Sequence, residues 1–148
     1  MATVATNKKA HFDYNLLEKY EAGLVLTGAE VKSIKGGRIS LKESFVTMKG
    51  FELYLTNANI PHYIFAGESK NYNPTRPRKL LLKKSEIKSL IGKARATGLT
   101  LIPLRVYTKR RLIKLEFALA KGKKSFDKRS DIAKRETKRK IERALRNS

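Results

Sequence analysis

A chain that breaks bonds needs a nucleophile beside a base, paired carboxylates, or a cluster of metal ligands, and this one has none of them at a recognisable spacing. Its only histidines, His11 and His62, fit no HExxH-like pattern, its acidic residues stand singly, and cysteine is absent. Gly36-Gly37 and Gly122-Lys123-Lys124 lack the further glycine and the Ser or Thr of a phosphate-binding loop. No catalytic residue, metal site or cofactor is therefore expected. The chemistry on offer is positive charge: 34 Lys and Arg against 13 Asp and Glu, a net +21 over 148 residues. Charge of that size calls for a polyanionic partner, RNA or DNA first, with association that is fast and strongly salt-dependent.

The charge is clustered. Lys121 to Ser148 carries twelve Lys and Arg against four Asp and Glu, which leaves +8 there and +13 on residues 1–120. Asn7-Lys8-Lys9 is equally consistent with a solvated end and with RNA contact. Arg76-Pro77-Arg78-Lys79 sits between prolines that limit its freedom, so its charges lose less entropy on binding, which favours phosphate contact. Lys109-Arg110-Arg111 reads as an ordinary charged hairpin turn. Glu21 would repel phosphate yet could accept hydrogen bonds from base amino groups, although its residue type alone is also that of an exposed strand position. Tyr and Phe side chains suited to base stacking are present, most of them at strand positions where they are expected to fill the core.

These clusters need a scaffold. The chain is long enough for one domain plus a tail, and its 41% hydrophobic content suffices for one core. Residues 1–9 are small and polar, and Ala10–Tyr14 and Tyr20–Leu26 alternate with the period of strands. Thr27 with Glu30 forms a capping box, which starts a helix that Gly36-Gly37 ends. Gly50 between Ser44–Lys49 and Phe51–Leu55 signals a hairpin. Pro61 to Pro77 reads as a long loop, Lys79–Lys83 as a short apolar run, and Ser85 onward as a helix closing near Gly92 or Gly98. Leu99–Thr108 and Leu112–Ala120 are the clearest strands. Many short strands with few helices predict a mainly β fold with α, a small closed or partly open barrel with two or three short helices, spanning residues 1–120. No stretch approaches the ~20 apolar residues of a membrane span, and the first residues lack a signal-peptide core, so the cytosol is the expected compartment.

In the tail, Ala133, Thr137, Ile141, Ala144 and Leu145 fall on one helical face, and Asp131–Arg135, Glu136–Lys140 and Glu142–Arg146 are favourable i,i+4 pairs. Each pair contributes only about 0.2–0.5 kcal/mol, the apolar face is thin and the cations repel. Residues 121–148 are expected to be disordered when free and helical when bound.

Asn7-Lys8-Lys9-Ala10, Tyr20-Glu21-Ala22-Gly23-Leu24, Gly28-Ala29-Glu30-Val31-Lys32-Ser33, Asn73-Pro74-Thr75-Arg76-Pro77-Arg78-Lys79-Leu80-Leu81-Leu82, Ala120-Lys121-Gly122-Lys123-Lys124 and Asp127-Lys128-Arg129 occur in one order over nearly the whole chain. In these motifs the chain closely resembles the SmpB family, the SsrA-binding partners of transfer-messenger RNA in bacterial trans-translation. The resemblance implies an oligonucleotide-binding-type (OB-fold-like) barrel that holds the transfer-RNA-like domain of that RNA through Asn7, Lys8, Glu21, Leu81 and Lys114, with Lys9 and Lys83 beside them. It further implies that the tail enters the ribosomal decoding site and messenger channel. There it stands in for codon–anticodon pairing through Asp127, Lys128 and Arg129, with Lys121, Lys123 and Lys124 at the junction. Phe126 lies where many relatives carry His or Tyr, which keeps a ring for stacking and removes a hydrogen bond. Transfer-messenger RNA and the ribosome are then the partners of a monomer, with no membrane involved. The alternative is a generic ribosomal or single-strand RNA-binding protein on the same barrel.

Overall fold

The computed structural model describes residues 2–67, 70–96, 98–123 and 125–146, without the side chains of Ala96, Ser125, Phe126, Asp127, Lys128, Ser130, Asp131, Ile132, Lys134 and Arg146. Seven strands form one antiparallel sheet: β1 (Ala2–Thr6), β2 (Tyr14–Leu24), β3 (Phe45–Lys49), β4 (Glu52–Thr56), β5 (Arg78–Leu81), β6 (Thr100–Lys109) and β7 (Leu112–Gly122). Their order, β1-β6-β3-β4-β5-β2-β7, together with a second pairing of β6 with β7, closes six of them into a ring, and β1 lies along the β6 edge beyond β3. Closure is uneven. β2–β7 and β6–β7 pair along their lengths, whereas β3 meets β6 only at Val46–Leu101 and β5 meets β2 only at Gly23–Leu81 and Leu24–Leu80. The small mainly β barrel expected from the sequence is thus an irregular ring.

Inside it, Leu53, Leu55, Leu80, Val106, Leu115 and Phe117 are fully buried at alternate positions of their strands, and Ile34 and Leu90 join them from the helices. Helix α2 (Gly28–Lys35) begins at the expected capping box: the Glu30 amide donates to Thr27 Oγ1 at 3.2 Å, and the Thr27 amide donates to Glu30 Oε1 at 3.0 Å. Helix α3 (Lys84–Ala96) runs through Gly92 and stops before Gly98, whose φ is +65°.

The first residues depart from expectation. Ala10–Asp13 is a single helical turn, α1, and not a strand, because the Lys9 carbonyl accepts from the Phe12 and Asp13 amides while Ala10 is buried. Two other amides of this stretch bond outside the turn or behind it, Asn7 to the Leu104 carbonyl and Ala10 to the Asn7 carbonyl. β2 accordingly begins at Tyr14, and residues 2–6, which look merely small and polar, form β1 by pairing with β6.

β7 continues past residue 120 to Gly122, opposite Tyr14. Residues Ser125–Arg146 form α4, the longest helix. Its described side chains are exposed, and Arg135 lies over the Phe12 ring of α1 at 5.0 Å. Among the described residues no helix is long and apolar enough to cross a membrane, and no group of three or more His, Cys, Asp or Glu could hold a metal ion.

Candidate nucleic-acid interface

The cations of the Arg76–Lys79 cluster, expected to meet phosphate, are each paired within the protein, although only Arg78 is buried and Lys79 is exposed. Arg78 is completely buried: its Nε donates to Glu30 Oε2 at 2.8 Å, its Nη1 to the Ala58 carbonyl at 2.8 Å and its Nη2 to the Tyr72 hydroxyl at 3.3 Å. Arg76 pairs with the other oxygen of Glu30, and Lys79 with Glu52 at 3.1 Å. Burial alone would raise the Glu30 carboxyl, but the Thr27 amide and the two guanidiniums overcome it and hold the group below its ordinary value. The prolines therefore serve a clamp that ties the long loop after β4 to α2. A capping residue in the sequence gives no sign that its carboxylate is also buried.

Glu21, Leu81 and Lys114, distant in sequence, are brought together by register. Gly23 on β2 stands opposite Leu81 on one side and Lys114 on the other, and Lys114 stands opposite Tyr107, which stands opposite Thr3. Directly opposed residues share a face, so Leu81, Gly23, Lys114, Tyr107 and Thr3 make one row on the outer face of five strands, in which Tyr107 is itself buried beneath the Arg105 guanidinium. Glu21, two residues before Gly23, joins the next row with Glu116 and Arg105. The intervening Ala22, Leu115 and Val106 are buried.

Gly23 has no positive φ and is placed by contact: a Cβ there would sit 3.3 Å from the Leu81 Cβ and 3.5 Å from its Cδ1. Leu81 thus leans over the glycine with half its side chain in solvent, an apolar plate beside a lysine and a carboxylate.

Glu21 is held more firmly than an exposed strand carboxylate. The Tyr107 hydroxyl donates to its Oε2, and Lys109 Nζ lies 3.6 Å from its Oε1. The tyrosine hydrogen bond is the main cause that keeps the Glu21 carboxyl below its usual range. Burial, and then the same bond, push the Tyr107 hydroxyl far up, so it stays a donor. Arg105 stacks over the Tyr107 ring at 4.4 Å and pairs with Glu116 at 3.4 Å. The sequence offers Tyr107 only as one of several strand aromatics, most of them expected in the core, and it is indeed buried while its hydroxyl serves Glu21; Gly23 and Arg105 carry no individual signal there. The period-two spacing of Arg105, Tyr107 and Lys109 is the signal that could have placed them on one face.

The remaining residues lie elsewhere. The Asn7 side-chain amide donates to the Pro103 carbonyl at 2.9 Å, which fixes it beyond the end of β1. Lys8 and Lys9 are exposed and line a cavity of about 590 Å³ with Tyr14, Lys42 and Phe45. Lys83 is exposed at the start of α3, where its carbonyl accepts from the Ile87 amide. Lys121 is exposed at the end of β7 opposite Asn15, and the Lys123 amide donates to the Asp13 carbonyl at 2.9 Å. Arg129 is exposed on α4. Lys124 lies outside the described residues, as do the side chains of Phe126, Asp127 and Lys128.

Comparison with known proteins gives one answer. The family model "SmpB protein" matches residues 4–147. The SsrA-binding protein of Desulforudis audaxviator is 56% identical over 144 residues, 97% of this chain and 94% of its own length. That of Carboxydothermus hydrogenoformans is 52% identical over 143 residues, 97% and 95% of the two chains. A solved structure described as "tmRNA-SmpB: a journey to the center of the bacterial ribosome" contains a chain 45% identical, with a TM-score of 0.66 over 81% of this chain and 84% of that one. With its ring of strands and its agreement over nearly all its length, the chain belongs to the SmpB family.

Proposed function

We propose that this protein binds the transfer-RNA-like domain of transfer-messenger RNA and delivers it to stalled ribosomes, as a cytoplasmic adaptor without catalytic activity. The observation that carries the reading is the convergence of Glu21, Leu81 and Lys114 around Gly23 on the face of a strongly basic member of a family named for SsrA binding. On that face Lys114 meets phosphate, Leu81 packs on a sugar or base, and Glu21 accepts from base amino groups, one of its oxygens already set by Tyr107. Asn7, Lys8, Lys9 and Lys83 extend the contact around the ring.

The tail acts separately. Lys121, Lys123 and Lys124 carry the chain from the ring, and Phe126, Asp127, Lys128 and Arg129 occupy the decoding site in place of a codon–anticodon pair. The segment has a thin apolar face and mutually repelling cations, so it is largely disordered in the free protein and helical in the ribosomal messenger channel.

Protein purified from its host without nuclease should carry one dominant RNA with a transfer-RNA-like end; a spread of unrelated fragments would leave a generic RNA-binding protein instead. Truncation before Asp127 should leave RNA affinity nearly intact and abolish tagging of stalled products. Loss of RNA binding in that truncation would refute the division of labour.

A further inference from the structure

The β6–β7 turn contains two arginines where the backbone favours other residues. Lys109 pairs with Leu112, so the turn has two central residues, Arg110 and Arg111, and both hold positive φ, 51° and 68°. Such a hairpin turn matches the twist of its strands, but Asn-Gly adopts it at least cost, and most other residues with a Cβ are strained there. Two arginines in this position are unfavourable for the fold itself, which directs attention to their guanidinium groups.

Those groups are uncompensated. Lys109 shares the turn but lies 3.6 Å from Glu21, whereas neither Arg110 nor Arg111 meets a carboxylate among the described residues, and both are exposed. Arg111 also lines a groove of about 580 Å³, opposite Lys35 and Gly37 at the end of α2 and beside Thr3 and Thr108. Lys35 likewise meets no carboxylate among the described residues. The groove thus has two cations, Lys35 and Arg111, among otherwise small or neutral lining residues and no acidic one, Arg110 stands beside it on the turn, and it lies where the Leu81–Gly23–Lys114–Tyr107–Thr3 row reaches β1.

We propose that Arg110, Arg111 and Lys35 form a second contact for the RNA, one that binds its phosphodiester backbone beside the Glu21 face. This rests on the reading of the protein as an RNA binder and adds a site to it. Guanidiniums donate in pairs to phosphate oxygens, and placing them on a tight turn between two long paired strands limits the entropy lost on binding. The contact is blind to base sequence; it orients the RNA so that the Glu21 row meets bases.

The test uses the full chain and a transcript of the transfer-RNA-like domain, titrated from about 50 to 200 mM salt. In the double variant Arg110→Asn with Arg111→Gly, the turn loses its strain and two charges together. The variant should melt at the same or a higher temperature, bind roughly tenfold more weakly, and show a log K against log salt slope shallower by about 1 per arginine removed. Arg110→Lys with Arg111→Lys should restore the slope. A control that removes two exposed charges from α3, Lys88→Asn with Arg95→Asn, should change it far less. An unchanged slope in the Asn-Gly variant refutes the site, as does failure of the lysine pair to restore it or an equal effect in the control. An unrelated RNA of the same length separates the two levels of inference. If wild type binds both RNAs alike yet the turn variant loses slope, the phosphate site stands and the identity of the RNA falls. If wild type discriminates and the variant keeps its slope, the reverse holds.

Discussion

Glu30→Ala is the most informative single change in the fold. Glu30 and Arg78 are both essentially buried, with Arg78 Nη2 2.6 Å from Glu30 Oε2, and Arg76 engages the second oxygen. Among the described residues, removing the carboxylate leaves the buried Arg78 guanidinium the Ala58 carbonyl and the Tyr72 hydroxyl to answer its charge. Removing one partner of such a pair costs about 3–5 kcal/mol. The side-chain half of the capping box, worth about 1 kcal/mol, is lost with it and is partly the same energy. At roughly 3–5 °C per kcal/mol for a folded unit of this size, thermal unfolding should fall by about 10–20 °C.

The same group predicts a pH effect. Its folded carboxyl lies below its ordinary value, so its stabilisation is fully present above the unfolded value near 4.5 and is lost as pH falls through the folded one. Wild type should therefore lose stability on acidification more steeply than Glu30→Gln, which cannot titrate. Melting curves by circular dichroism for wild type, Glu30→Ala and Glu30→Gln between about pH 7 and 3 measure both effects. A Glu30→Ala protein within about 1 kcal/mol of wild type would refute the claim that this buried carboxylate neutralises Arg78 and pins the loop after β4.

Two further outcomes concern the interface. Tyr107→Phe removes the hydroxyl that donates to Glu21, so the Glu21 carboxyl should titrate at a higher pH while the buried ring keeps its packing; side-chain carboxyl NMR titration reads this directly, and an unmoved Glu21 would contradict the assignment. Gly23→Val would drive a branched side chain onto Leu81, whose Cβ is only 3.3 Å from the modest position a first carbon would take. Filter binding should show RNA affinity reduced roughly tenfold with stability changed by about 1–3 kcal/mol, and full affinity in a folded variant would show that the posture of Leu81 does not matter.

Local signals in the sequence were faithful where the physics is local. The Thr27–Glu30 capping box, the Gly50 hairpin and the strands flanking Lys109-Arg110-Arg111 are all present, because caps, tight turns and alternation depend on neighbours a few residues away. Ala10–Tyr14 misled for the same reason. Its alternation suits a strand, but the Asn7 amide is claimed by Leu104, nearly a hundred residues on, and the chain turns there into α1.

By itself the sequence determined that this protein is a basic, mainly β, polyanion-binding domain with a helix-capable tail, since net charge, missing catalytic groups and hydrophobic period are properties of composition and short-range order. Only the tertiary structure decided which charges are available. Burial of Glu30 and Arg78, with Arg76 reaching the same carboxylate from a part-exposed position, turned two candidate phosphate contacts into counter-ions, whereas strand register gathered Glu21, Leu81 and Lys114 from three strands and set Tyr107 behind the Glu21 carboxylate. Availability depends on desolvation and on cross-strand neighbours, and both are fixed by pairings that span most of the chain length.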